Sequence, residues 1–255
     1  SFGTPTYSPS DTVVIPSGNG TTVSVTTNNT LTRDTGSFKI TKTTSNPDGA
    51  TLPSAFSGTS ATTTGYTGTR RVANAGSQTV NGIPTGNTCS VVETATAAIS
   101  GYTWAAPTYT PASIVISTKG GTFEIVVGNS ITRDRGTLQL VKKVVNDHGG
   151  TATVSSFGIN TTAGSLTFDG GTANGTTTTY TSQKITVVTG SYTLKESDLY
   201  AYTEGSWSCT GAAGTVVPTF NNGSVVVGKG EDVVCTITND DRPGTIVIIK
   251  NAKPA

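Results

Sequence analysis

The chain repeats itself, and the repeat limits what it can fold into more than any other feature. Gly36-Ser37-Phe38-Lys39-Ile40-Thr41-Lys42 returns as Gly136-Thr137-Leu138-Gln139-Leu140-Val141-Lys142 and again as Gly244-Thr245-Ile246-Val247-Ile248-Ile249-Lys250. A second marker, Pro5-Thr6-Tyr7, returns as Pro107-Thr108-Tyr109 and Pro218-Thr219-Phe220. A third, Leu31-Thr32-Arg33-Asp34, returns as Ile131-Thr132-Arg133-Asp134. Self-similarity at a fixed period marks tandem copies of one structural unit, each about the size of a small domain. The markers keep their order, with the Gly…Lys segment opening a module and the Pro-Thr-aromatic segment near its close. Residues 36–135 and 136–243 therefore read as two complete modules. Residues 1–35 read as the closing strands of a preceding module, and residues 244–255 as the opening strand of a following one. That leaves the chain out of register with its own repeat: either it is a stretch of a longer array, or its ends pair between subunits.

Within each module the apolar residues alternate with polar ones over short runs, as in Phe38-Lys39-Ile40 and Val233-Val234-Cys235-Thr236-Ile237. Turn clusters such as Asn46-Pro47-Asp48-Gly49 and Asn146-Asp147-His148-Gly149-Gly150 separate the runs. Period-two alternation broken by such turns predicts an all-β chain of antiparallel sandwiches, with Thr and Val suited to half-buried strands. Charged residues make up 12% of the chain and the formal net charge is +1, which gives no electrostatic footprint for nucleic acid or a lipid surface. No apolar run reaches the roughly 20 residues of a membrane helix, so no membrane insertion is expected in this segment.

Three polar residues recur at matching positions. The opening strands end in Lys42 and Lys142, middle strands end in Glu93 and Glu196, and the last strands carry Asn129 and Asn239. The run Tyr192-Thr193-Leu194-Lys195-Glu196 resembles the E-box of the collagen-adhesin B-type, prealbumin-like (Ig-like) modules of bacterial surface repeat proteins. The stretch from Cys235 to Asn239-Asp240-Asp241, followed by Gly244 to Lys250, is similar to the module junctions of such proteins. The resemblance covers both modules and implies Lys–Asn isopeptide bonds promoted by the glutamate: Lys42 to Asn129 with Glu93, and Lys142 to Asn239 with Glu196. In the first module Cys89 stands where the E-box has its aromatic residue. The chemistry makes sense on general grounds. Burial favours the neutral, nucleophilic amine and a protonated carboxyl that can polarise the carboxamide.

The other candidates are plainer. Cys209 and Cys235 fall on two late strands of the second module and are expected to form a disulfide, the alternative being two buried thiols; Cys89 is expected to be a buried free thiol. His148 and Asp147 read as turn residues, and Trp104 and Trp207 as packing. No metal site, cofactor or enzymatic cluster is expected. Two functions remain open. One is an extracellular, cell-surface stalk or filament joined head to tail, with the 244–250 strand pairing with residues 1–35 of a neighbour. The other is an adhesin that binds a partner through module loops, the 57–80 segment with Arg70-Arg71 being the most divergent.

Overall fold

The computed structural model describes residues 1–211 and 223–251. The Pro218-Thr219-Phe220 marker lies outside the described residues. The chain divides into two compact units, Ser1–Thr132 and Arg133–Ala255, both built of strands. No helix is long and apolar enough to cross a membrane.

In the first unit, strands β1 (Thr6–Ser8) and β2 (Thr26–Asn28) form a small antiparallel ladder. A sandwich follows, made of β3 (Thr35–Ser45), β4 (Ala55–Thr62), β5 (Thr67–Ala73), β6 (Ser77–Pro84), β7 (Thr88–Glu93), β8 (Tyr102–Trp104), β9 (Thr108–Thr110), β10 (Ser113–Val115) and β11 (Thr122–Arg133). One sheet runs β10-β7-β4-β5; the other runs β6-β3-β11-β8, with β9 also on β11. Alternation along β3 turns Phe38, Ile40 and Lys42 inward, and Ile125 and Val127 of β11 join Phe38 and Ile40 in the core.

The second unit opens with β12 (Arg135–Val145) and continues through β13 (Asn160–Thr161), β14 (Thr172–Asn174), β15 (Thr177–Thr181), β16 (Ile185–Val188) and β17 (Gly190–Lys195). It closes with β18 (Tyr202–Glu204), β19 (Ser208–Thr210), β20 (Ser224–Val227) and β21 (Asp232–Asp241). The larger sheet runs β14-β15-β12-β21-β18, with β16 on β12 and β19 on β21; the smaller runs β13-β17-β20. Leu138, Leu140, Leu194, Val225, Val227 and Val233 fill the space between them.

Alternation alone suggests antiparallel pairing throughout, but each unit holds one parallel ladder among its described residues. It joins the first strand to the last: β3 to β11 and β12 to β21. A parallel neighbour needs a long crossover, and here the rest of the module supplies it. Lys42 stands opposite Val127, and Lys142 opposite Ile237.

The glycine that opens each module is required by this arrangement. A Cβ at Gly136 would lie 2.6 Å from the Gly228 carbonyl and 2.6 Å from Val227; one at Gly36 would lie 2.8 Å from the Gly121 carbonyl. The third copy behaves differently. Gly244 has nothing within 4 Å, and residues 242–251 belong to no strand. Ile246 and Ile248 stand 89% exposed, without a ladder partner among the described residues.

This contrast yields a prediction. Gly136→Ala forces backbone to shift and should destabilise the second unit by about 1–3 kcal/mol, the usual range for overpacking. Gly244→Ala should leave stability unchanged. Denaturant titration of both variants checks the pair, and equal effects would refute the packing argument.

Candidate crosslinking site

Lys42 occupies the third inward position of β3, after Phe38 and Ile40, so the alternation that builds the core also buries the lysine. Its register partner is Val127, and Asn129 lies two residues further along β11, on the same face. Glu93 ends β7 on the facing sheet and reaches between them. Lys42 Nζ donates to Glu93 Oε2 at 2.7 Å, and Asn129 Nδ2 donates to Glu93 Oε1 at 2.6 Å. The glutamate is steadied from two sides: Thr96 Oγ1 donates to Oε1 at 3.2 Å, and its backbone N–H donates to Tyr109 Oη at 2.9 Å. Phe56 lies under the amine, 4.4 Å from ring centre to Nζ, and Trp104 packs edge-on against that ring. A cavity of about 20 Å³ adjoins Lys42, Glu93 and Gly58, room for one water-sized molecule.

The second unit repeats the arrangement with different supports. Lys142 Nζ donates to Glu196 Oε2 at 2.7 Å, and Asn239 Nδ2 donates to Glu196 Oε1 at 2.7 Å. The Lys142 and Glu196 side chains are 0% and 1% exposed. Phe157, from a single 3-10 turn (Val154–Phe157), places its ring centre 3.9 Å from Nζ and packs edge-on against Tyr202. The structure thus brings together all six residues expected from the repeat, as two triads.

Burial pushes the ammonium pKa of both lysines below its ordinary value, and the glutamate beside each offsets only part of that shift. Removing water makes the charged amine costly, and the aromatic ring below it is only partial compensation. The carboxamides show a matching tension. Asn129 Oδ1 and Asn239 Oδ1 are buried and accept no hydrogen bond. A buried acceptor left unmade costs about 1–3 kcal/mol. Each triad therefore holds an amine biased towards its neutral form, an unclaimed amide oxygen, and one carboxyl touching both groups.

Residue alternation does not disclose the aromatic floor. Phe56 comes from a strand and Phe157 from a 3-10 turn, yet Ser54-Ala55-Phe56 and Ser155-Ser156-Phe157 recur one repeat apart, a signal that could have found them. Asp241 carries no such marker. It is buried, and its carboxylate accepts backbone N–H bonds from Asp147 at 2.9 Å, His148 at 3.0 Å and Gly150 at 2.6 Å, closing the Asn146–Gly150 turn. Asp147, His148, Asp240 and Asp241 converge within 4.8 Å. The turn-closing bonds account for Asp241, and His148 Nδ1 lies 2.6 Å from Asp147 Oδ1. Trp104 and Trp207 both pack, Trp104 on Phe56 and Trp207 against the second core.

Cys209 and Cys235 stand directly opposite each other on β19 and β21 and form a disulfide, two turns of the strand pleat before Asn239. Cys89 is free and buried, and burial raises its thiol pKa.

Two family models match the chain. Residues 134–237 match the family model of the prealbumin-like fold domain, and residues 38–132 match that of a domain of unknown function. No curated protein matches the chain in sequence. Among solved structures, the T3.2 major pilin of Streptococcus pyogenes is 13% identical with a TM-score of 0.41, over 82% of this chain and 99% of that one. The T-13 major pilin of the same species is 14% identical with a TM-score of 0.35, over 83% of this chain and 98% of that one. The pilus adhesin SpaC of Lactobacillus rhamnosus GG is 13% identical with a TM-score of 0.32, and the match covers 89% of this chain but 31% of that one.

Two measurements follow. Thiol labelling of the denatured, unreduced protein should modify Cys89 alone, and labelling at all three cysteines would contradict the disulfide. The Asp241 prediction concerns pH. Burial pushes its carboxyl pKa up, but the N–H bonds from Gly150, His148 and Asp147 outweigh burial and hold it below the ordinary value. A depressed folded pKa gives stability that is present above the unfolded value, near 3.9, and lost as pH falls through the folded value. The melting temperature of Asp241→Asn should accordingly fall less steeply below about pH 4 than that of the parent protein.

Proposed function

We propose that this chain, whose second half is a prealbumin-like domain, is a structural stretch of an extracellular surface stalk or fibre whose modules lock themselves with Lys–Asn isopeptide bonds. One observation carries the reading: in each unit a single buried carboxyl contacts both the amine of the first strand and the carboxamide of the last.

The reaction is a transamidation and occurs once per module. The neutral lysine Nζ attacks the asparagine Cγ, and the tetrahedral centre collapses with loss of the Nδ2 nitrogen as ammonia. One Lys–Nζ–Cγ amide forms and one Cγ–Nδ2 bond breaks, with no redox change. The proton leaving the amine must reach the departing nitrogen, and the glutamate is within hydrogen-bond reach of both. Rotating the carboxamide by half a turn would set Oδ1 against a protonated glutamate. That contact satisfies the orphaned oxygen and polarises the carbonyl. In the first unit the small cavity beside Lys42 has room for the released ammonia.

The position of the bond suits load. Tension arriving along β3 reaches Lys42 and would pass through the bond to Asn129 on β11, bypassing the residues between; Lys142 and Asn239 would do the same for the second unit. The Cys209–Cys235 disulfide fits an oxidising, extracytoplasmic setting.

Intact mass after reduction tests the proposal. The native chain should weigh two ammonia molecules less than its sequence, and Glu196→Ala should regain one. That variant should also lose about 4.7 kcal/mol of stability in the second unit, the loop-entropy value for a closed loop of roughly a hundred residues. Finding Lys142 and Asn239 in separate tryptic peptides of the native protein would falsify the assignment.

A further inference from the structure

The two units link the strand that carries the carboxyl to the strand that carries the carboxamide along paths of different length. In the first unit β9 lies on β11, which holds Asn129, and β10 lies on β7, which ends in Glu93. Pro111 and Ala112 alone separate β9 from β10, so the neighbour of the last strand passes at once to the neighbour of the carboxyl strand. Tyr109 of β9 adds a direct tie between the sheets, its Oη accepting the Glu93 N–H at 2.9 Å. Glu93 and Asn129 are thereby held to one another by a short stretch of chain.

The second unit makes the same connection across a longer stretch. β19 lies on β21, which holds Asn239, and β20 lies on β17, where Thr193 opposes Ser224 just before Glu196. Residues 211–223 separate β19 from β20. A longer connection costs more entropy to hold its ends at a fixed separation. The Cys209–Cys235 disulfide stands at this point. It ties β19 to β21, and the ring of chain it closes contains the whole of β20. That ring joins the ladder of Asn239 in the larger sheet to the ladder that leads to Glu196 in the smaller one. Closing it removes arrangements in which the two ladders are apart.

Burial also sets the order of events. Cys209 is 5% exposed and Cys235 0%, and Cys235 stands opposite Leu140 in the core. An oxidant reaches these sulfurs only before the sheets close. Lys142 acquires its reactive character only after they close, because burial is what disfavours its ammonium form. Oxidation therefore precedes crosslinking.

We propose that the Cys209–Cys235 disulfide is the positioning element of the second crosslink, so that the Lys142–Asn239 amide forms in oxidised chains and is retarded in reduced ones, while the Lys42–Asn129 amide is indifferent to thiol state. The inference rests on the crosslink reading above. The two thiols give up two electrons and two protons to an oxidant of the disulfide class, which is itself reduced to two thiols. Neither cysteine takes part in the transamidation that follows. A chain in a reducing compartment thus keeps its second unit unlocked and locks it on reaching an oxidising one.

Folding the full chain under two redox conditions tests this. The protein is synthesised cell-free with either dithiothreitol or oxidised glutathione, and peptide mapping over time follows each amide. The Lys142–Asn239 amide should form about a hundredfold more slowly in the reduced sample, the usual cost of misplacing reacting groups by about an ångström. The Lys42–Asn129 amide should form at the same rate in both. The double variant Cys209→Val, Cys235→Val should behave as the reduced chain in either buffer. Hydrogen exchange separates positioning from folding, since the amides of Leu138 and Leu140 should be protected in every sample. Equal second-unit rates in the two buffers, a double variant that crosslinks like the oxidised parent, or loss of Leu138 and Leu140 protection alongside the slow rate would each overturn the proposal. Absence of both amides from the oxidised chain would instead overturn the crosslink reading and this inference with it, so the two failures are distinguishable.

Discussion

A carboxyl group held between a lysine on the first strand and an asparagine on the last is the contact around which each unit is arranged. It demands that two chain segments about a hundred residues apart lie side by side, in parallel, with their inward faces in register. It also demands that a middle strand of the facing sheet end at the same depth, so that Glu93 and Glu196 reach both groups. As an ion pair this contact is a poor source of stability, since burying both charges costs most of what their attraction returns.

The two units reach the same geometry by different local means. A ring lies beneath each amine, supplied by strand β4 in the first unit and by a 3-10 turn in the second. The disulfide stiffens only the second unit, where β19 meets β21. The close approach of backbone to Gly36 and Gly136 is common to both, and it pins the start of the parallel ladder. Constant features thus lie along the first-to-last strand pair, and variable ones on the strands and turns that surround it.

The sequence was most informative where chemistry and periodicity coincide. Lys42 and Lys142 continue the inward alternation of Phe38-x-Ile40 and Leu138-x-Leu140, so a polar residue at a core position is legible from spacing alone. Asn129 and Asn239 fall in the equivalent place on the closing strands. Phe56, Phe157 and Asp241 could not be found this way. Each acts through a partner distant in sequence; the two phenylalanines recur about one repeat apart but on different kinds of element, and Asp241 does not recur.

What the sequence by itself determined is the repeat, the strand-forming alternation, and the identity of the three polar residues at each core. These are local properties: side-chain period and composition decide which face of a strand avoids water. What only the tertiary structure decided is adjacency. The same alternation is compatible with parallel or antiparallel neighbours and with several strand orders, because the inward face is the same in all of them. Only packing the two sheets set the first strand beside the last, aimed the glutamate between lysine and asparagine, and left two amide oxygens without a donor.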